Sequence, residues 1–128
     1  MTVTVTGASG HVGNNLVRLL LAEGRRVRCV VRNDTRAIEG LDVELVRGDV
    51  LRPETLVGAF SGTETVFHLA GRISIVSGDE NLVYEVNVEG TRNVVAACLK
   101  SGVKRLIHFS SIHALRQEPY EEPVTEAR

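Results

Sequence analysis

Tryptophan is absent from this 128-residue chain, and two tyrosines and three phenylalanines make up its whole aromatic content. That removes the stacking platforms that single-stranded nucleic acid needs, and it leaves Val, Leu, Ile and Ala to build the core. Neither sign of charge is in excess. Fifteen Lys+Arg stand against sixteen Asp+Glu, a net charge of −1, so there is no basic surplus to hold a phosphate backbone and no nucleic-acid partner is expected. Long apolar runs are missing too. The stretches around Val3–Val5 and Leu19–Ala22 fall far short of the roughly 20 residues that cross a bilayer. The first basic residue, Arg18, follows the first apolar stretch instead of preceding it, the reverse of a secretory signal. A cytoplasmic protein without a membrane partner is the expectation. Cysteine is scarce: Cys29 and Cys98 lie far apart, share no ligand spacing with a histidine, and read as small buried hydrophobes with no metal site. What remains, 43% hydrophobic and 24% charged residues, is the balance of one ordinary globular domain rather than a disordered chain.

Short β-branched runs alternate with helical patterns along the sequence. Strands are expected at Thr2–Thr6, Val27–Val31, Val43–Val46, Thr65–Leu69 and Leu106–Ser110. Between the first two, Val12, Leu16, Leu19 and Leu20 suggest the buried stripe of a helix that stops at Gly24. A short helix should open at Pro53, a residue tolerated in the first turn. The longest helix should run from about Glu80 to Lys100, with Val83, Val86, Val94, Ala97 and Cys98 at three- and four-residue intervals. Gly90 shares that face; a mid-helix glycine costs about 1 kcal/mol against alanine, and its gain should be close approach to the sheet. Strand–helix alternation implies parallel crossovers, hence an α/β fold with a Rossmann-type parallel sheet of order 3-2-1-4-5. After Ser111 the pattern dissolves. Residues 1–114 read as one Rossmann-type domain and 115–128 as a loop or tail.

The strongest local signal is Thr6-Gly7-Ala8-Ser9-Gly10-His11-Val12-Gly13, between a strand and a helix. Gly7 permits a tight turn, Gly10 lets the backbone approach a diphosphate, and Gly13 lets helix and strand close up. Free amides and the positive end of the helix dipole stabilise the anion. Gly-Lys-Ser/Thr is absent, which argues against a nucleoside-triphosphate loop. Ser9 can donate to a phosphate oxygen; His11 and Val12 lie in the same turn. Nineteen residues past Gly13, where NAD sites carry an acid, stands Arg32. A guanidinium there suits a 2′-phosphate, with Arg36 assisting, so NADP is favoured over NAD. Asp34, two residues on, is the alternative ribose ligand. A methyltransferase-type cofactor is disfavoured by the same arginine.

Taken together, Thr6–Gly13, Gly48-Asp49-Val50, His68-Leu69-Ala70-Gly71, Asn87-Val88-Glu89-Gly90-Thr91 and Val103-Lys104-Arg105 leading to Ser110-Ser111 resemble the extended short-chain dehydrogenase/reductase family. The similarity is to its epimerase/dehydratase and dihydroflavonol-reductase-like group, and covers residues 2 to about 114. The resemblance implies that Asp49 accepts from the adenine amino group with Val50 against the ring. It also implies that Leu69, Ala70 and Gly71 line the cofactor near the nicotinamide ribose, with Asn87 and Ser110 close by. Ser111 takes the place of the family's substrate-orienting serine, a hydroxyl able to donate to a developing oxyanion; Ser110 is the adjacent alternative, and His113 a possible proton relay. His68 reads as a histidine satisfying local backbone groups, and Asn87 as part of a local polar network. The long helix is implied as a homodimer surface.

One family feature is missing. The chemistry calls for a tyrosine acid/base with a lysine four residues later, yet Tyr84 is followed by Val88 and Tyr120 by Val124. The chain is therefore expected to be the N-terminal portion of a larger oxidoreductase or epimerase, truncated before the later strands and helices and before the catalytic segment. Its full-length form would act by hydride transfer on a secondary alcohol, carbonyl or sugar nucleotide. The alternative is a noncatalytic dinucleotide-binding module or redox sensor.

Overall fold

A computed structural model describes residues 1–74 and 76–127. Five strands, β1 (Thr2–Thr6), β2 (Arg26–Val31), β3 (Glu44–Arg47), β4 (Thr63–His68) and β5 (Arg105–His108), form one parallel sheet of order β3-β2-β1-β4-β5. This is the order inferred from the crossovers. The helices are α1 (His11–Ala22), α2 (Pro53–Ala59), α3 (Glu80–Tyr84) and α4 (Gly90–Lys100), with short 3₁₀ turns at Arg36–Ile38 and Ile112–Ala114. Residues 115–127 form no helix or strand.

The two faces of the sheet have separate cores. Under α1 lie Val5, Ala8, Val17, Leu20, Val27, Cys29, Val31 and Ile38. Under α2 and α4 lie Val30, Val50, Leu56, Ala59, Phe60, Val66, Val94, Ala97 and Cys98. Both cysteines are free and buried, and burial pushes their thiols up, to about 12 for Cys29 and about 11 for Cys98. Consecutive residues on β2 (Val30 and Val31) serve opposite cores, which is why that strand reads as a continuous apolar run.

Several boundaries and one helix face differ from the sequence expectation. The buried residues of α1 are Gly13, Val17 and Leu20. Leu16 is half-buried, whereas Val12 and Leu19 are 55% and 57% exposed. The helix is apolar over much of its circumference, so composition alone does not set its phase. The Gly13 contact does: a Cβ there would stand 2.0 Å from the Gly7 carbonyl oxygen, so the face carrying residues 13, 17 and 20 must lie inward. Strand β3 begins one residue later than expected. Strand β4 starts at Thr63, where an irregularity between Thr2 and Val3 brings Thr2 opposite Thr63. Strand β5 ends at His108, leaving Ser110 outside the ladder.

The long helix is not continuous α-helix. Residues Glu85–Glu89 form a π-helical segment between α3 and α4, a widened turn of the kind that recurs at functional sites. The close approach expected of Gly90 is real, but its partner is the loop after β3: a Cβ would meet Val50 Cγ2 at 2.8 Å.

Candidate functional site

In this strand order the chain reverses direction across the sheet between β1 and β4, and the crevice beyond those strands' C-terminal ends is where open α/β sheets take ligands. A cleft of about 220 Å³ opens there, lined in part by Gly7, Ser9, Gly10, Arg32, Asp49, Val50, Leu69, Ala70 and Gly71. Nine of the residues singled out in the sequence thus meet on one surface.

The glycine turn is built by exclusion of side chains. Gly7 has φ +73°, and a Cβ on it would sit 2.6 Å from both the Ala70 nitrogen and the Leu69 carbonyl carbon. It therefore packs on the backbone leaving β4. Gly13 packs in turn on Gly7. Gly10 is the extended N-cap of α1 and donates its N–H to the Gly7 carbonyl at 3.0 Å. The first-turn amides of His11, Val12 and Gly13 have no intrahelical acceptor, as at every helix start, so their positive ends gather at the turn.

Asp49 has two jobs. Its Oδ1 accepts from the Leu51 amide at 2.9 Å, while its own N–H donates to Thr55 Oγ1 at 3.0 Å. The turn is thus held by the aspartate, which also lines the cleft. Gly48 lets this segment cross the end of β2, since a Cβ would meet Val30 Cγ1 at 2.6 Å.

A buried polar chain braces the opposite wall. Thr91 donates its hydroxyl to the Asn87 carbonyl at 2.7 Å, so His68 Nε2 donates to Thr91 Oγ1 at 3.0 Å. With Nε2 protonated, Nδ1 accepts from the Thr6 hydroxyl at 2.7 Å, and Thr6 Oγ1 accepts from the Ala70 amide at 3.2 Å. Every hydrogen in this chain has an acceptor only if the ring is neutral. Burial, and then the ring of His108 with its centroid 5.3 Å away, lower the His68 pKa to about 4. The histidine satisfies two hydroxyls, where the sequence suggested backbone groups. Asn87 completes the brace, accepting from the Arg72 amide at 2.8 Å and donating to its carbonyl at 2.9 Å.

The other expected site residues lie elsewhere. His11 and Val12 are exposed at the start of α1, outside the cleft lining, and Gly13 is buried behind it. Arg36 is turned to Asp34, pairing through Nε and Nη2 with both carboxylate oxygens at 3.0 and 2.8 Å. Asn87 stands behind the loop after β4. Ser110 and Ser111 are exposed past β5, and Ser111 Oγ lies 3.0 Å from His113 Nδ1. Sequence reasoning did not single out Thr6, Val30, Val31, Gly48 or Val86 as cleft lining. Adjacency to Arg32 and Asp49 could have found Val31 and Gly48. Nothing in the local pattern signals Val86, which the π-helical segment brings to the cleft.

Beside the cleft, sharing Ser9, Arg32, Gly48 and Asp49 with it, is an open recess also lined by Asn33, Asp34, Arg47, Arg52 and Thr55. Among the described residues there is no group of three or more acidic, His or Cys side chains able to hold a metal, and no helix long and apolar enough to cross a membrane.

The profile of the 3-beta hydroxysteroid dehydrogenase/isomerase family matches residues 4–128. The chain belongs to that family. Its fold is the Rossmann-type NAD(P)-binding module of the extended short-chain dehydrogenase/reductase and epimerase superfamily. Sterol demethylase protein B of Methylococcus capsulatus is 42% identical over 121 residues, covering 93% of this chain and 37% of the relative. Cinnamoyl-CoA reductase 1 of Oryza sativa subsp. japonica is 42% identical over 130 residues, covering 94% and 37%. A short-chain dehydrogenase/reductase superfamily protein from Agrobacterium tumefaciens, solved with bound NAD, superposes with a TM-score of 0.75 at 35% identity, covering 87% of this chain and 33% of that one. The chain thus spans well under half the length of these relatives, matching the N-terminal part of larger proteins.

Proposed function

We propose that the cleft binds a nicotinamide dinucleotide, NADP(H) in preference to NAD(H), and that the chain acts as a dinucleotide-binding module. The observation that carries this reading is the bare rim of the glycine turn: Gly7 and Gly13 close the turn on its own backbone, while at Gly10, which lines the cleft, an added Cβ would meet only the Gly7 carbonyl oxygen, at 3.3 Å. A turn without side chains there, beside the unpaired first-turn amides of α1, lets backbone approach an anion. In this reading Gly7, Ser9 and Gly10, with the first-turn backbone amides of His11, Val12 and Gly13, hold the diphosphate and Arg32 takes the 2′-phosphate. Asp49 and Val50 receive the adenine, and Leu69, Ala70 and Gly71 border the nicotinamide ribose. Asn87 keeps the loop beside that ribose in place, and Ser110, exposed past β5, would reach the cofactor only from outside the cleft lining.

The Agrobacterium relative's bound NAD supports a dinucleotide in general; Arg32 in the cleft lining supports the phosphorylated form. Isothermal titration of the protein with NADPH and NADH tests both levels. Gly10→Leu should abolish binding of each. Arg32→Asp should weaken NADPH while sparing NADH; equal losses, or none, contradict the assignment.

Hydride transfer on a secondary alcohol, carbonyl or sugar nucleotide is the second reading, favoured by relatives whose names are those of reductases and dehydrogenases. Ser111 would then orient the substrate from beyond β5. With Tyr84 and Tyr120 each followed four residues later by valine, these 128 residues bind cofactor without efficient turnover. Loss of a general acid/base alone removes a factor of about 10²–10⁴.

A further inference from the structure

The recess beside the cleft is lined by three arginines against two aspartates. Arg32, Arg47 and Arg52 all line it. Arg47 is committed: its Nη1 donates to the Arg32 carbonyl and, at 3.1 Å, to Asn33 Oδ1, which ties β3 to the turn after β2. The guanidinium groups of Arg32 and Arg52 make no hydrogen bond or ion pair among the described residues, and they enter the recess from different segments, the end of β2 and the turn before α2. Two exposed guanidinium groups without partners on the lining of one open recess are a ready pair of ligands for an anion bound there.

Two carboxylates share that rim and would oppose such an anion. Asp49 turns one oxygen back to the Leu51 amide. Asp34 is gripped on both oxygens by Arg36, which also donates its backbone N–H at 3.1 Å and holds the Asp34 carboxyl down to about 2. Arg36 itself does not line the recess.

We propose that Arg52 is the second guanidinium ligand of the phosphate monoester on the adenosine ribose, opposite Arg32, and that the Arg36–Asp34 pair determines specificity by neutralising the carboxylate that would otherwise repel that phosphate. The inference rests on the NADP reading above and deepens it. Arg32 alone would confer a preference; Arg52 closes the site from the other side. Arg36 acts through Asp34, as a positioning residue.

Adenosine 2′,5′-bisphosphate and adenosine 5′-monophosphate isolate the ribose phosphate as probes, with NADPH and NADH as whole ligands. Arg52→Ala should weaken the bisphosphate and NADPH by about tenfold or more, the scale of one charged hydrogen-bond pair, and leave the monophosphate and NADH within about twofold. Arg52 is exposed and its carbonyl bonds to Thr55 are backbone, so the fold should survive, as an unchanged circular dichroism spectrum would confirm. Arg52→Lys should recover part of the loss. Arg36→Ala should weaken the bisphosphate, and the double change Arg36→Ala with Asp34→Asn should restore it, a recovery that a merely structural role of the pair would not produce. If Arg32→Ala abolishes the bisphosphate preference while Arg52→Ala leaves it intact, the Arg52 assignment is overturned and the NADP reading stands. If Arg36→Ala changes nothing, or the double change fails to recover, the neutralising role is overturned. If the unaltered protein binds neither probe, the dinucleotide reading fails first.

Discussion

Acidification should destabilise this protein through one side chain above all. His68 is fully buried, and its two ring nitrogens are committed to a donor and an acceptor role that only the neutral ring can fill. Its pKa falls from 6.5 to about 4. Between those values the unfolded chain takes up a proton that the folded chain refuses. Stability from this group is therefore fully present above pH 6.5, declines as the pH falls, and is exhausted near pH 4. Each tenfold difference in proton affinity between the two states is worth about 1.36 kcal/mol, so the whole loss is about 3 kcal/mol, a large share of the roughly 5–15 kcal/mol typical of a domain. Asp34 titrates in a lower window, from the ordinary carboxylate range down to about 2, so the two do not overlap. With no tryptophan as a probe, urea unfolding followed by far-ultraviolet circular dichroism at pH 7.5, 6.5, 5.5 and 4.5 is the suitable assay. The free energy of unfolding should fall steadily over the last three points, and a His68→Gln variant should be less stable at pH 7.5 but much flatter with pH. Equal slopes for the two proteins, or a His68 resonance titrating near 6.5 in the folded state, would refute the reasoning.

Gly13→Ala should destabilise the turn by far more than a helix-propensity gain of about 1 kcal/mol can offset, because the new methyl would stand 2.0 Å from a backbone oxygen; chemical denaturation should show a lower midpoint, and a neutral result would contradict the close packing. Gly90→Ala meets a side chain instead, so its cost should shrink when Val50→Ala is added, and a double-mutant cycle with no coupling would deny the contact. Cys29 and Cys98 should resist a thiol reagent at pH 8 in the folded protein and react in urea, since burial holds both in the thiol form; rapid native labelling of either would contradict their burial.

The sheet order was legible because strand and helix periodicities alternate and right-handed crossovers leave few alternatives. So was the glycine turn, whose spacing encodes contacts with Ala70 and Gly7 that no other residue permits. The face of α1 was not, because Val12 and Leu19 are as apolar as Val17 and Leu20, and only the long-range contact at Gly13 decides between them. The π-helical turn was equally hidden. It brings Val86 to the cleft and lies where Asn87 grips the Arg72 backbone, a tertiary bond with no local pattern. Arg52 carries no local signal either, because only the β3–α2 connection brings it to the recess that Arg32 also lines, 20 residues away in sequence.

The central claim, that backbone amides of the glycine turn hold the diphosphate of a nicotinamide dinucleotide, is tested most directly by amide-resolved NMR during titration with NADPH and NADH. Saturable shifts should appear at residues 7–13, at Asp49 and Val50, and at Ala70 and Gly71, with Arg32 responding more to NADPH. A folded sample whose residues 7–13 stay unmoved at millimolar concentrations of both nucleotides would contradict it.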